Sequence, residues 1–348
     1  MFSFLAQAFA HQSDGAGGGY SVKGAARTLS FVRSGVRATL RRALSQQRRN
    51  ELKRLQGSAR KRFAPVLSLV YGSFTTTELL EELERRLPEN FEILMVHSSF
   101  DWLLPMYKGS AKDLVNGLID FCGRKRTLVM PSFVMGGRTF DTSAYFQSQP
   151  FDLRRTPSEM GLVAEIFRRT PNVLRSLHPT CSVCALGPLS HELTTGHHIA
   201  ETGFSPESPF GVMTRRDTAI LGLGVEYYRC LTHAHTARYQ MGDEFPLKFA
   251  DRSVQVTLVD HEGTRFYYKL GLPDRSKKLD LRVLWSVLSK EELREWRFHG
   301  VTMFAIPRAG IVTDRLIDAA RRGITIYGKV PIISYSSAAG RQPGMEGR

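Results

Sequence analysis

Three consecutive stretches decide the fold: FEILMVHSSF (91–100), SAKDLVNGLIDFCG (110–123) and RTLVMPSF (126–133). The first is a continuous apolar run that turns polar at its end, which reads as a buried strand. The second carries apolar residues at helical spacing and closes on Gly123. The third is again short and apolar, and Pro131 breaks it. A strand, a helix of about a dozen residues and a second strand is the unit that builds parallel sheets.

The same alternation continues on both sides. Upstream, TTTELLEELERRLP (75–88) opens with a capping box, Thr75 to Glu78, repeats leucine at positions 79, 80, 83 and 87, and stops at Pro88. Downstream, TPSEMGLVAEIFRRTP (156–171) reads as a helix with Thr156 as cap, Pro157 in the first turn and Glu159 completing the box. TAILGLGV (218–225) reads as another short strand, and LIDAARRGITIYG (316–328) as a last helix. SVQVTLVD (253–260) and TRFYYKL (264–270) alternate differently and predict a late antiparallel hairpin. The expected fold class is α/β, with a largely parallel central sheet flanked by helices and a late antiparallel β insertion. The expected organisation is a basic arm over 1–70, a main domain over 71–335 and a flexible tail over 336–348.

The formal net charge of +15 suggests nucleic acid until its distribution is read. Residues 1–64 hold 13 Lys and Arg against Asp14 and Glu51, which leaves +4 for the remainder. Within the arm, Val32, Val36, Leu40 and Leu44 recur every four residues between arginines, the pattern of an amphipathic basic helix. Residues 28–62 would suit the anionic surface of a membrane. No aromatics interleave the arginines, so nucleic acid is not expected. No apolar run approaches the roughly 20 residues of a membrane span. The start lacks a basic segment and a cleavage site of the secretory kind. Four cysteines in 348 residues make no disulfide framework. The expected location is the cytoplasm, peripheral to the inner face of the membrane.

In open α/β sheets ligands bind beyond the carboxyl ends of the strands. The tips at 97–100, 131–133 and 222–224 are therefore expected to ring one crevice. The start of the TPSEMG helix would offer free backbone N–H groups to a phosphate. RSLHPTCSVCALG (175–187) adds His178, Cys181 and Cys184. Those three could be zinc ligands with His233 or His235 as a fourth, Cys181 could be a nucleophile, or His178 could act beside cysteines that pack.

Several segments together resemble the aminoglycoside 3-N-acetyltransferase family, the antibiotic acetyltransferase fold rather than the GNAT fold. They are VHSSF (96–100), RTLVMPSF, FDLRRTPSEMGLVAEIFRRTPNVLRSLHPTCSVCALG (151–187), ESPFG (207–211), LGLG (221–224) and THAH (232–235), in matching order over about 75–335. The resemblance implies an acyltransferase that moves acetyl from acetyl-CoA, without a metal, onto an amine of an amino sugar or aminoglycoside, as in antibiotic resistance. It implies that His178 is catalytic, a general base for direct attack on the thioester, with His235 as a second site histidine and the cysteines as packing. His97, Ser98, Ser99, Phe100, Thr156, Ser158, Met160, Gly161 and Ser208 would line the acetyl-CoA site. Glu207 and Arg238 would face the small-molecule amine acceptor.

THAHTAR (232–238) departs from the family pattern, because Arg238 stands where the family has glutamate. An arginine accepts no proton and repels a polycation. The acceptor would then be neutral or anionic, such as a nucleotide-linked amino sugar, or another acid among Glu207, Glu226, Asp243 and Glu244 would replace the missing one. The alternative is a non-catalytic CoA-binding or scaffold protein of the same fold.

Overall fold

The computed structural model describes residues 62–136, 141–200, 202–274 and 276–330. The basic arm up to residue 61 and the tail over 336–348 lie outside the described residues. No described helix is long and apolar enough to cross a membrane.

The chain divides into two compact units. The described part of the smaller comprises residues 62–74 and 104–108. Its helix α1 (Ala64–Tyr71) carries Pro65 in the first turn, where a missing N–H costs nothing, and ends at Gly72 with φ 73°. Phe74 pairs with Tyr107, their rings 5.6 Å apart. Val66, Leu69 and Val70 on this helix are exposed.

The larger unit is built on a seven-stranded sheet in the order β4–β5–β2–β1–β6–β10–β9. Its strands are β1 (Ile93–Ser98), β2 (Thr127–Pro131), β4 (Leu174–Arg175), β5 (Val183–Leu186), β6 (Thr218–Leu223), β9 (Arg294–Phe298) and β10 (Val301–Ile306). The capping box predicted at Thr75 and Glu78 starts α2 (Thr76–Arg86), and Gly123 ends α3 (Ala111–Cys122). Gly117 lets these two helices meet, since a Cβ there would sit 2.3 Å from Thr76 Cγ2.

Parallel pairing is confined to the centre of the sheet. β1 runs parallel to both β2 and β6, while β5 on one side and β10 on the other are antiparallel. The α/β class holds and the sheet is mixed. The reason is local: β5 returns from β4 by a short turn, and β9 returns into β10 through His299 and Gly300, both at positive φ. Two residues with φ above zero make the tight hairpin turn that antiparallel strands need. The β9–β10 hairpin was not anticipated in the sequence.

Through Ile93 and Met95 of β1, Val129 of β2 and Ile220 of β6, one face of the sheet joins a core cluster shared with α5 (Pro209–Arg215), α6 (Thr236–Met241) and α7 (Ala309–Arg321). Helices α2 and α3 contribute nothing to that cluster and pack on each other and, through α3, on β2. The expected late hairpin is β7 (Ser253–Val259) with β8 (Arg265–Gly271), joined by the two-residue β3 (Phe151–Asp152) in a separate three-stranded sheet.

One expectation fails. The TPSEMG helix does not start at Pro157. The helical segment is α4 (Leu162–Arg168), with Gly161 at φ 99° before it. Residues 156–161 are tied down instead. Thr156 Oγ1 accepts from Asp152 N–H, Glu159 N–H donates to the Phe133 carbonyl, and Ser158 N–H donates to Glu165 Oε2. The capping signal loses to these bonds, of which the one to Phe133 is long-range.

Gly222 sits opposite Phe304 in β10, and a Cβ there would lie 2.0 Å from the buried phenyl ring. Gly222 of LGLG is thus required by packing. Gly222→Ala is expected to cost about 1–3 kcal/mol of overpacking, read as a lower urea midpoint, with part recovered when Phe304→Leu is added. An unchanged midpoint would contradict this register.

Candidate active site

The expected crevice forms where parallel pairing brings strand ends together. Ser98 at the end of β1 pairs with Leu223 at the end of β6, and Ser99 N–H donates to the Leu223 carbonyl. A Cβ on Gly224 would lie 2.8 Å from the Ser99 carbonyl oxygen, and one on Gly161 would lie 3.9 Å from that of Ser98. Glu159 bonds to Phe133, just beyond β2. The HSSF, PSF, TPSEMG and GLG tips therefore do converge.

The RSLHPTCS segment is the turn between β4 and β5, laid against the end of β2. Ser132 N–H donates to the Ser182 carbonyl at 2.8 Å, and Val134 N–H to the Pro179 carbonyl at 3.3 Å. Arg175 holds the assembly. Its buried guanidinium donates to the carbonyls of Ser132 (2.7 Å), Thr156 (2.5 Å) and Leu153 (3.4 Å) and to Ser182 Oγ (3.3 Å), and lies over the Phe151 ring. Ser182 Oγ donates to the Ser132 carbonyl. Gly187 ends the segment at φ 135°, where a Cβ would meet the Arg126 carbonyl oxygen at 2.4 Å.

This turn positions His178, 3% exposed. Its Nδ1 accepts from Cys181 N–H at 3.1 Å and Thr180 N–H at 3.3 Å, and its Nε2 lies 3.1 Å from the Tyr268 hydroxyl of β8. His197 stacks on it, the ring centroids 4.7 Å apart. Ser176 Oγ accepts from Val183 N–H and bonds to His197 Nδ1, while His197 Nε2 faces the Gly203 carbonyl. Gly203 closes over the pair: a Cβ there would lie 2.7 Å from Cys181 Sγ and 3.1 Å from His178 Nε2. Burial, then the neighbouring His197, holds His178 well below the ordinary histidine range. Burial pushes the Cys181 thiol up to about 12, against its use as a thiolate nucleophile. Among the described residues no group of three His, Cys, Asp or Glu is placed to hold a metal.

Phe204, next to Gly203, packs on His235 and Tyr239. His235 Nδ1 is 3.0 Å from the Tyr327 hydroxyl. The Arg238 guanidinium lies 3.3 Å over the Phe249 ring and 4.9 Å from that of Tyr239. His178 and His235 thus flank one short segment, 203–204.

Not every expected residue is free to bind. His97 is turned into the interior, 4% exposed, because the pleat puts it on the same face as Ile93 and Met95. Thr156 Oγ1 and Ser158 Oγ are engaged locally, the latter by Met160 N–H, and buried Ser208 Oγ accepts from Gly211 N–H to cap α5. The N–H groups of Ser158, Glu159 and Met160, expected to face a phosphate, are all taken. Ser98, Ser99, Phe100 and Met160 are half-buried, and Gly161 and Glu207 are exposed. Arg175, His197, Gly203 and Tyr268 were missed as parts of the site, because their partners lie up to 90 positions away.

Residues 95–313 match the family model of aminoglycoside 3-N-acetyltransferases, and the chain belongs to that family. It is 33% identical over 135 residues to aminoglycoside N(3)-acetyltransferase IV of Salmonella sp., covering 38% of this chain and 47% of that protein. The chain thus spans about half the length of that relative. The fold is shared with AAC-IIIb, described in a binary complex with CoASH (TM-score 0.60, 19% identity, 72% of this chain and 97% of that one). It is also shared with AAC-VIa, described as bound to sisomicin (TM-score 0.57, 20% identity, 71% and 97%).

Burial depresses His97 and His235 to about 4 and His197 and His233 to about 3. Each stays neutral in the folded state and takes a proton on unfolding below about pH 6.5. Stability is therefore expected to fall as pH drops from 6.5 toward 4, each ring adding up to about 1.4 kcal/mol per pH unit. Urea midpoints at pH 7, 6 and 5 check this, and a flat series would mean these rings protonate in place.

Proposed function

We propose that the chain is an acetyl-CoA-dependent N-acetyltransferase acting on an amine of an amino sugar or aminoglycoside-like acceptor, by direct attack on the thioester. The observation that carries this reading is the junction of the His178 turn with the converging ends of β1, β2 and β6. The acetyl-bearing arm of CoA would lie along Ser98, Ser99 and Phe100 and against Met160 and Gly161, the half-buried and exposed members of the expected set. Gly161, without a side chain and at φ 99°, leaves room for close approach. Transfer depends on His178, with His235 on the other side of Gly203 and Phe204.

The acceptor we favour is anionic or neutral. Arg238 is held by Phe249 and Tyr239, and a fixed cation at this place disfavours a polycation and suits the phosphates of a nucleotide-linked amino sugar. Exposed Glu207 would meet the amine end.

The test is thiol release from acetyl-CoA by wild type and His178→Ala, offered nucleotide-linked amino sugars and gentamicin in parallel. Release with the nucleotide sugars, reduced at least a hundredfold in the variant, is the expected result. Arg238→Glu should shift preference toward gentamicin. The closed cover on His178 favours a second reading, a non-catalytic CoA-binding or scaffold protein, and retained CoA binding without thiol release would support it.

We also propose that the basic arm holds the enzyme at an anionic membrane surface, aided by the exposed Val66, Leu69 and Val70 of α1. The full chain should sediment with vesicles containing phosphatidylglycerol and not with phosphatidylcholine alone. A deletion of residues 1–64 that sediments equally well would refute it.

A further inference from the structure

The tautomer of His178 is set by its own turn. Nδ1 accepts two backbone N–H groups, from Thr180 and Cys181. An amide cannot turn its hydrogen away, so Nδ1 must present a lone pair to both. The single hydrogen of the neutral ring is then on Nε2, and it is donated to the Tyr268 hydroxyl oxygen at 3.1 Å. A proton arriving at this ring would have to settle on Nδ1, facing two N–H donors. The groups around the ring do not help it do so. His197 stacks on it as a neutral imidazole, Tyr268 is an undissociated phenol, and Cys181 an undissociated thiol. Among the described residues no carboxylate bonds to the ring.

Taking the acetyl-transfer reading as its basis, we infer that His178 serves the reaction as an Nε2–H donor to the acyl oxygen, and not as the base that takes the amine's proton. The Tyr268 hydroxyl oxygen occupies the place of that oxygen in the resting site. In the step, the amine nitrogen forms a bond to the thioester carbon and the C=O electron pair moves onto oxygen, where Nε2–H stabilises it. Collapse of the intermediate breaks the C–S bond, and the amine's proton ends on the departing CoA sulfur by way of solvent. Tyr268 is a positioning residue, keeping the donor satisfied until the acyl oxygen replaces it.

Two measurements test this on the full-length chain. In protein labelled with [15N]histidine, long-range 1H–15N correlation assigns the tautomer, the His178 signals being those lost in His178→Gln. A protonated Nε2 with a bare Nδ1 is expected, and a protonated Nδ1 overturns the inference. In thiol release, Gln can offer an N–H where Ala cannot. His178→Gln should retain at least tenfold more kcat than His178→Ala, within the roughly 10²–10³-fold that one such donor is worth. Equal loss in the two variants, with wild type active, overturns the donor role. A wild type that releases no thiol with any amine instead defeats the acetyl-transfer reading itself, so the two failures are told apart.

Discussion

The site hangs on a buried cation whose hydrogen-bond partners among the described residues are carbonyl and hydroxyl oxygens rather than carboxylates. Arg175 spends its planar donors on three carbonyl oxygens and one hydroxyl drawn from the end of β2, the 153–156 segment and the β4–β5 turn. A lysine has neither the number of donors nor the fixed fork to reach those acceptors at once. Burial lowers Arg175 only to about 10, so it remains charged at neutral pH, and its desolvation is offset by charge-assisted bonds and by the face of Phe151. It adds to the direct bonds between these segments, Ser132 N–H to the Ser182 carbonyl and Glu159 N–H to the Phe133 carbonyl, in keeping the His178 turn at the strand ends.

On that frame, the buried histidines form a neutral set rather than a titrating one. Each is depressed chiefly by removal from water, alone at His97 and with a second histidine or an arginine nearby adding to the effect at the others. A protein that keeps five imidazoles uncharged uses them through their hydrogen-bond direction, and direction is decided by neighbours: two amides for His178, a serine hydroxyl for His197, a tyrosine hydroxyl for His235. Substituting one of those neighbours can reverse a histidine without touching it.

Much was legible in the residues alone. The capping box at Thr75, the helix closed by Gly123, the strand ends at Ser98, Pro131 and Leu223 and the late hairpin all follow from short-range patterns that the tertiary structure leaves in force. The 156–161 segment shows where such patterns fail. Thr156, Pro157 and Glu159 spell a helix start, yet Thr156 serves Asp152, and Glu159 serves Phe133 and Met135. A cap is worth about 1 kcal/mol, and the local bond of Thr156 together with the two bonds of Glu159 to residues just beyond β2 outweighs it.

What the sequence by itself determined is the α/β alternation, the identity of the His178 turn and the family to which it belongs, because these rest on residues close along the chain. The tertiary structure alone decided which of those residues can act. It turned His97 inward through the pleat of β1, spent Thr156 and Ser208 on local bonds, and placed Tyr268 and His197 against His178 from 90 and 19 positions away. The physical reason is that a side chain's chemistry depends on its hydrogen-bond partners and its distance from water, and both are set by packing between segments that no local pattern connects.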